Sequence, residues 1–475
     1  MPSPPAGCGL LTLRWKPWRS SGKQYITFLS VRLIVNIWNG LKKYFIKHLV
    51  AFLSLGPPRV VRGLKFQGGR CILSGKMRHR RRPGGQRFFN HNNEDVAIMS
   101  KFVTGKFLSV LLVAVGCLIQ LRADQPQIRY RNAFEAPFEF SGILWRGANG
   151  ELRRLPPEID ENVVRKFTAN FHSYHTSGGE VRFCTDSDVI VIRAEVYKVS
   201  DSPHMTRNAA AGFALFQDAG RETERLVRAM SPSTGEMRAN PAKPTKRVDC
   251  TVKLKRGGGM RYFSLYLPLY SGVKKLEIGV AEGAKVIPPP PRKVKLPICF
   301  YGSSITQGCS AGHPGNNYTT MLCRAVDAPQ INLGFSAGAR GEVRVAETIA
   351  SLKMAALVID YDHNAPNPEH LRKTHENFFK IIRQAQPELP IILVSGPRDK
   401  ADPRNRERRD IVKATYDRAV AAGDKHVYFV DGLAFFDQVP RKYCTVDNTH
   451  PSDLGFYLMF QKILPVLRQA LAEGR

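Results

Sequence analysis

From Leu296 to the C-terminus the chain alternates short apolar runs with longer amphipathic stretches, and that rhythm leaves little choice of fold. LPICFYG, QINLGF, AALVIDY, LPIILVSG and HVYFVDG are near-continuous apolar runs of strand length. Helical stretches follow each of them, ending with SDLGFYLMFQKILPVLRQALA. Strands that are apolar on both sides must be covered on both sides, so the pattern predicts a five-stranded parallel α/β sheet with helices on both faces. Sheets of this kind place ligands at the carboxyl ends of their strands, and chemistry is to be sought there.

The preceding segment, from Gln125 to about Gly283, has another rhythm. EVRFCTDSDVIVIRAEVYKV, AGFALFQDAG and MRYFSLYLPLYSGVKKLEIGV alternate at period two and are rich in Val, Ile, Tyr and Phe. Such runs, broken by turn residues, predict an antiparallel β-sandwich. PPPPRKV in the segment 284–294 is a stiff connector that cannot continue a helix or a central strand. The expected organisation is a sandwich over 124–290 and an α/β domain over 295–475.

The formal charge of +31 would suggest nucleic acid as a partner, but it is unevenly spread. Residues 1–98 hold 18 Lys and Arg against only Glu94 and Asp95, which is about half of the total. Their apolar run from Tyr25 to Leu55 is broken by Arg32, Lys42, Lys43 and Lys47, which argues against a membrane span. Beyond them basic and acidic residues are mixed, and no recognition helix or stacking motif stands out. Nucleic acid is therefore not expected as a partner.

Met99, Lys101 and Lys106 lead into FLSVLLVAVGCLIQL and then Arg122, Ala123 and Asp124. A basic start, an apolar run and a small residue before a polar stretch make a secretory signal, so 99–123 is expected to be removed after Ala123. A signal-anchor, a buried helix or a lipid anchor at Cys117 are the other readings of that run. A signal behind a long basic leader implies that translation starts at Met99 and that 1–98 is not part of the natural protein. The mature product would be secreted or periplasmic, without stable membrane insertion. It would keep Cys184, Cys250, Cys299, Cys309, Cys323 and Cys444, none in a zinc-ligand spacing. An even count in an exported protein permits disulfides without identifying any.

Three strand ends carry groups of a kind that acyl transfer needs. The first runs into Gly302, Ser303 and Ser304, and a serine at a strand-to-helix turn has free backbone amides beside its hydroxyl. The third ends at Asp360, Tyr361, Asp362, His363 and Asn364, where a side-chain amide could donate to an oxyanion. After the last come Asp447 and His450, close enough to enter one cavity from a single loop. Each has a bland counterpart: an ordinary Gly/Ser turn, a turn asparagine, and a helix cap at Asp447 or Ser452 with a surface His450.

YGSSITQG, HPGNNY, INLGFS, DYDHNAP, IILVSGP and DNTHPSDLGF together resemble the SGNH hydrolases (GDSL-like lipases and esterases), in the branch with an N-terminal β-domain. The resemblance covers 295–475, and FHSYHTSGGEVRFCTDSDVIVIRAEV resembles that branch's sandwich. It implies a flavodoxin-like sheet behind a jelly-roll-like sandwich, with Ser304 as nucleophile, His450 as base and Asp447 orienting it. Ser304, Asn364 and either Ala337 or Gly338 would form the oxyanion hole. Two residues depart from the pattern. Ser303 stands where Asp is frequent, and Ala337 stands where Gly is expected, although Ala does not readily adopt positive φ.

Gly334–Phe335–Ser336–Ala337–Gly338 also spells the G-x-S-x-G elbow of α/β-hydrolases, with Ser336 as a rival nucleophile. That fold places several strands before its elbow, whereas here one α/β strand precedes it. The resemblance implies ester hydrolysis without metal or organic cofactor, on a small-molecule or polysaccharide ester, with short acyl groups such as acetyl on carbohydrate favoured. The other class is a non-catalytic glycan-binding protein on a decayed hydrolase, motivated by Ala337. His204 and Met205 are candidates for the site mouth, with a plain loop the expected reading.

Overall fold

The computed structural model describes residues 126–159, 172–197, 202–233 and 246–474, with a short strand pair Lys65–Gln67 and Arg70–Ile72. The leader and the secretory signal expected over 99–123 otherwise lie outside the described residues. The chain divides into two compact units, Met1–Thr104 and Gly105–Arg475. Elements are numbered here within the second. No described helix is long and apolar enough to cross a membrane.

Twelve strands precede the α/β part: β1 (Ile128–Asn132), β2 (Glu139–Ser141), β3 (Trp145–Arg146), β4 (Leu152–Arg153), β5 (Glu180–Thr185), β6 (Val189–Val196), β7 (Phe213–Gln217), β8 (Arg225–Met230), β9 (Lys246–Lys253), β10 (Arg261–Tyr266), β11 (Val273–Ala281) and β12 (Val286–Ile287). They pair as antiparallel sheets in the orders β8-β7-β10-β5-β12, with β2 also on β5, and β9-β6-β11-β1, while β3 pairs with β4. Inward residues of the two sheets, including Val181, Phe183, Ile190, Ile192, Leu215, Phe263 and Ile278, share one core, which makes a sandwich. The connector begins as part of that sandwich. Val286 and Ile287 form the edge strand β12 on Thr185 and Cys184, because proline is tolerated beyond an edge where no ladder partner is required.

The second half carries β13 (Ile298–Gly302), β14 (Gln330–Gly334), β15 (Ala356–Asp360), β16 (Ile391–Val394) and β17 (Val427–Val430), paired parallel in the order β14-β13-β15-β16-β17. Successive residues face opposite sides. Ile298, Phe300, Val358 and Val394 pack with Tyr318, Phe456, Met459 and Ile463, while Cys299, Tyr301, Ile359 and Leu393 pack with Val345, Leu371, Phe378 and Val412. Both faces are therefore covered, as the continuous apolar runs require. The strand order reverses at β13, between β14 and β15, so the carboxyl ends of these three strands border the crevice where such sheets bind ligands.

The first apolar face joins the sandwich core, since Ile298, Phe300 and Ile305 belong to the same buried cluster as Val181 and Leu267. A short helix of the β half, α1 (Arg207–Ala211), and the turn helix α2 (Ser304–Gln307) contribute Ala209–Ala211 and Ile305 to that cluster. The remaining helices are α3 (Tyr318–Val326), α4 (Val343–Ala350), α5 (Pro368–Ala385), α6 (Pro403–Ala421), α7 (Arg441–Cys444) and α8 (Asp453–Glu473). Proline at the start of α5 and α6, behind the capping side chains of Asn367 and Asp402, fixes where these two helices begin.

Candidate active site

Ser304 is the first residue of α2, directly after β13, and Ser303 caps the helix by accepting from the Ile305 amide. Ser and Asp are equivalent caps, so Ser303 performs locally what the more frequent Asp would. Gly302 has to be glycine: a Cβ there would lie 2.1 Å from Thr306 Oγ1 and 2.3 Å from the Asp360 carbonyl oxygen. The turn is held from behind, where Tyr270 of the β half donates to the Ser304 carbonyl at 3.2 Å and the Asp360 carbonyl accepts from the Ser303 amide at 3.1 Å. The amide of Ser304 stands in the first turn of α2, among those that find no acceptor within their helix.

The Ser304 hydroxyl lies 2.9 Å from His450 Nε2, and His450 Nδ1 lies 2.7 Å from Asp447 Oδ2. The second oxygen of Asp447 accepts from the amides of Thr449 at 3.0 Å and His450 at 2.7 Å. Burial works to raise this carboxyl, but the amide and imidazole of His450 and the Thr449 amide outweigh it and hold the pKa at about 2. Asp447 is therefore a carboxylate across the working range and fixes the imidazole with its Nδ1 as donor. The loop is a tight turn closed by a Thr445–Pro451 bridge, with Asn448 at φ 62° and Arg441 donating to the Asn448 carbonyl at 2.8 Å. Helix capping falls to Ser452, whose hydroxyl accepts from Gly455, and this leaves Asp447 to His450.

Around the carbonyl of Phe335 the candidate oxyanion donors meet. Asn364 Nδ2 donates to it at 3.0 Å and Gly338 N at 2.9 Å, while the Phe335 amide donates to Gly302 at the end of β13. Asn364 keeps a second amide hydrogen, whereas the backbone hydrogen of Gly338 is already engaged. Ala337 is exposed and sits at φ 55°, contrary to the expectation that alanine would avoid the left-handed region. The turn closed by Gly338 onto Phe335 imposes that conformation, at about 1–2 kcal/mol for a residue with a Cβ. Between the two positions, Ala337 is the one whose amide the turn leaves available.

Of the two candidate serines, Ser304 is the one whose hydroxyl meets a histidine among the described residues. The Ser336 amide donates to Gln307 Oε1 at 3.0 Å, and no described hydrogen bond joins the Ser336 hydroxyl to a histidine.

The β half enters this site in ways its sequence does not announce. Arg154 is buried, donates to the carbonyls of Gly334 at 2.6 Å, Asn332 at 3.1 Å and His172 at 2.7 Å, and lies over the Phe335 ring. Burial draws its guanidinium down to about 9, with Tyr270 pulling the other way. Gln307 binds His175 and the Leu269 carbonyl. His204 stands at the site, where a plain loop was expected, and its ring lies parallel to that of His450 with centroids 4.9 Å apart and planes 3° apart. Met205, by contrast, packs against the core shared by the sandwich and the α/β half.

His204, Cys309 and His450 bring ligand atoms within 4.8 Å of one another. Neither nitrogen of His450 is free for a metal, since Nδ1 is held by Asp447 and Nε2 by Ser304. The pair is a stack rather than a ligand set, and burial pushes the Cys309 thiol up to about 11, further from the thiolate a metal needs. The six cysteines from Cys184 to Cys444 are unpaired.

Residues 295–468 match the family model described as the GDSL-like lipase/acylhydrolase family, and residues 128–286 match the one described as the N-terminus of SGNH-hydrolase-type esterases. Among solved structures, a protein assigned as a GDSL-like lipase from Bacteroides ovatus is 26% identical with a TM-score of 0.62, over 73% of this chain and 98% of that one. A salicylyl-acyltransferase from a tetracycline biosynthetic pathway is 19% identical with a TM-score of 0.59, over 73% of this chain and 99% of that one, and shares the fold. No curated protein matches the chain.

Proposed function

The chain belongs to the GDSL-like lipase/acylhydrolase family, with the N-terminal domain of SGNH-type esterases ahead of its hydrolase half, and on that premise we propose that it is a serine carboxylic-ester hydrolase. His450 Nε2 takes the proton of the Ser304 hydroxyl as the oxygen attacks the ester carbonyl, and Asp447 stabilises the imidazolium that forms. The oxyanion receives hydrogen bonds from Asn364 Nδ2 and the amides of Ala337 and Ser304. Collapse of the tetrahedral intermediate expels the alcohol, protonated by His450, and leaves an acyl-Ser304. Water, deprotonated by His450, then attacks the acyl carbon, and Ser304 recovers its proton as the acid departs.

The relay of 2.9 Å and 2.7 Å from Ser304 through His450 to Asp447 is the observation that carries this reading. The rival reading, a glycan-binding protein on a decayed hydrolase, rested on Ala337, and the positive φ taken there removes much of its motive. We assign the substrate to short acyl esters, acetyl in the first instance, on carbohydrate. The groups that meet Ser304 and the His450 ring, namely Tyr270, Asp447 and His204, are polar and suit a hydroxyl-rich alcohol better than a lipid tail. We further assign the protein to the secreted or periplasmic space, through the signal 99–123, and the N-terminal sequence of the natural product would test that assignment.

The test is hydrolysis of 4-nitrophenyl acetate and of acetylated oligosaccharides by the full chain, with Ser304→Ala alongside. Loss of the hydroxyl should lower kcat by about 10⁴-fold or more while the protein stays folded. Retained turnover in purified Ser304→Ala would overturn the assignment.

A further inference from the structure

The two hydrogen bonds that hold the His450 imidazole both lie in the plane of its ring, one to Asp447 at Nδ1 and one to Ser304 at Nε2. Two in-plane contacts on opposite sides of a ring leave it free to rock about the line that joins them. The tight turn fixes the Asp447 carboxylate and the His450 backbone, and Asp447 in turn meets the ring only in its plane. A contact on the face of the ring is what would resist the rocking. His204 supplies that contact, parallel to His450 to within 3°.

The stack is anchored at both ends of the site. Two residues beyond His204, the Thr206 hydroxyl caps α1 by accepting from Ala209 and donates to the Gly312 carbonyl at 2.8 Å. The Gly312 amide in turn donates to Asp453 at 2.7 Å, in the first turn of α8, directly after the loop that carries His450. Ser202 lies 3.3 Å from the His204 ring nitrogens. Burial first, and His450 second, keep the His204 imidazole below its ordinary pKa, against the pull of Asp447. An uncharged ring can lie on His450 without opposing the imidazolium that forms there in turnover.

We propose that His204 is a positioning residue of the esterase: stacked on His450, it holds the imidazole in the orientation that reaches Ser304 and Asp447 together, and so makes the β half part of the catalytic centre. The inference rests on the serine-esterase reading above for its kinetic consequence. Its geometric consequence, a better ordered bond between His450 and Asp447, does not depend on which ester is cleaved.

The experiment compares the full chain with His204→Ala and His204→Phe, the second keeping a flat ring without nitrogens. Two quantities are read: kcat and KM on 4-nitrophenyl acetate, and the low-field proton resonance of the His450 Nδ1–H held by Asp447. His204→Ala should lose about tenfold in kcat with KM little changed, and its low-field line should broaden, as expected for removing one ring-on-ring contact. His204→Phe should recover most of the rate and a sharp line. A purely structural role would move the melting temperature and leave the line unchanged. Wild-type rate and line in His204→Ala, or equal losses in both variants, would overturn the proposal. If the wild type cleaves no ester, the serine-esterase reading fails separately, and the proton line alone decides the stack: an equally sharp line in His204→Ala then sinks it.

Discussion

Arg154 of the β half reaches the Gly334 carbonyl at the end of β14, 2.6 Å away, and so holds the strand end from which the loop with Phe335, Ala337 and Gly338 departs. The guanidinium satisfies three carbonyls in a place closed to water. Arg154→Met would fill similar space and take this donor from the Gly334 and Asn332 carbonyls, while the His172 carbonyl keeps the amide of His175 at 3.2 Å. Each orphaned carbonyl costs about 1–3 kcal/mol, offset in part by no longer burying a charge, so a net loss of about 2–4 kcal/mol is expected. Urea unfolding should show a lower midpoint with an unchanged slope. Ester turnover should fall as well, because Phe335, whose carbonyl gathers Asn364 and Gly338, follows Gly334 directly.

Ala337 offers a test of opposite sign. Ala337→Gly removes the Cβ that is unfavourable at φ 55° and keeps the amide, so it should stabilise the fold by up to about 1 kcal/mol and retain activity. Ala337→Pro removes the amide and forces φ to about −65°, and it should abolish turnover. Melting temperatures and initial rates on one ester would decide between this assignment and the Gly338 amide. A Pro variant with near-normal kcat would exclude Ala337 from the oxyanion hole.

The five parallel strands and the long helices were legible because both periodicities depend on local sequence alone. AALVIDY, for example, became Ala356–Asp360 between its two covering layers. That Ser304 meets the Asp447–His450 pair was legible because strand ends are where this architecture concentrates chemistry. One-turn helices such as α2 and α7 are too short to show a period. The contributions of the β half were hidden for another reason. Arg154 meets Gly334, and His204 meets His450, across separations that leave no periodic trace in the chain. The conformation of Ala337 went against intrinsic preference, which a turn fixed by Phe335 and Gly338 overrides.

Asp360 sits behind the nucleophile turn, and its titration gives a pH-dependent test of the elbow. Burial first, and the neighbouring Asp362 next, raise its carboxyl to about 8, against the hydrogen bonds given by Tyr318 at 3.0 Å and by Thr306 at 3.2 Å. The folded pKa thus lies above the ordinary value of 3.8 that holds in the unfolded chain. The folded state then binds the extra proton between those values, so the contribution of Asp360 to stability is fully present below the lower one and is lost as pH rises through the upper. Asp360→Asn removes the titration while keeping an acceptor for Tyr318 and Thr306. The difference in unfolding free energy between the variant and the wild type should therefore be small near pH 4 and should grow in favour of the variant up to pH 9. Parallel stability curves for the two proteins over that range would mean that Asp360 is ionised in the fold, with Tyr318 and Thr306 sufficient to hold the charge.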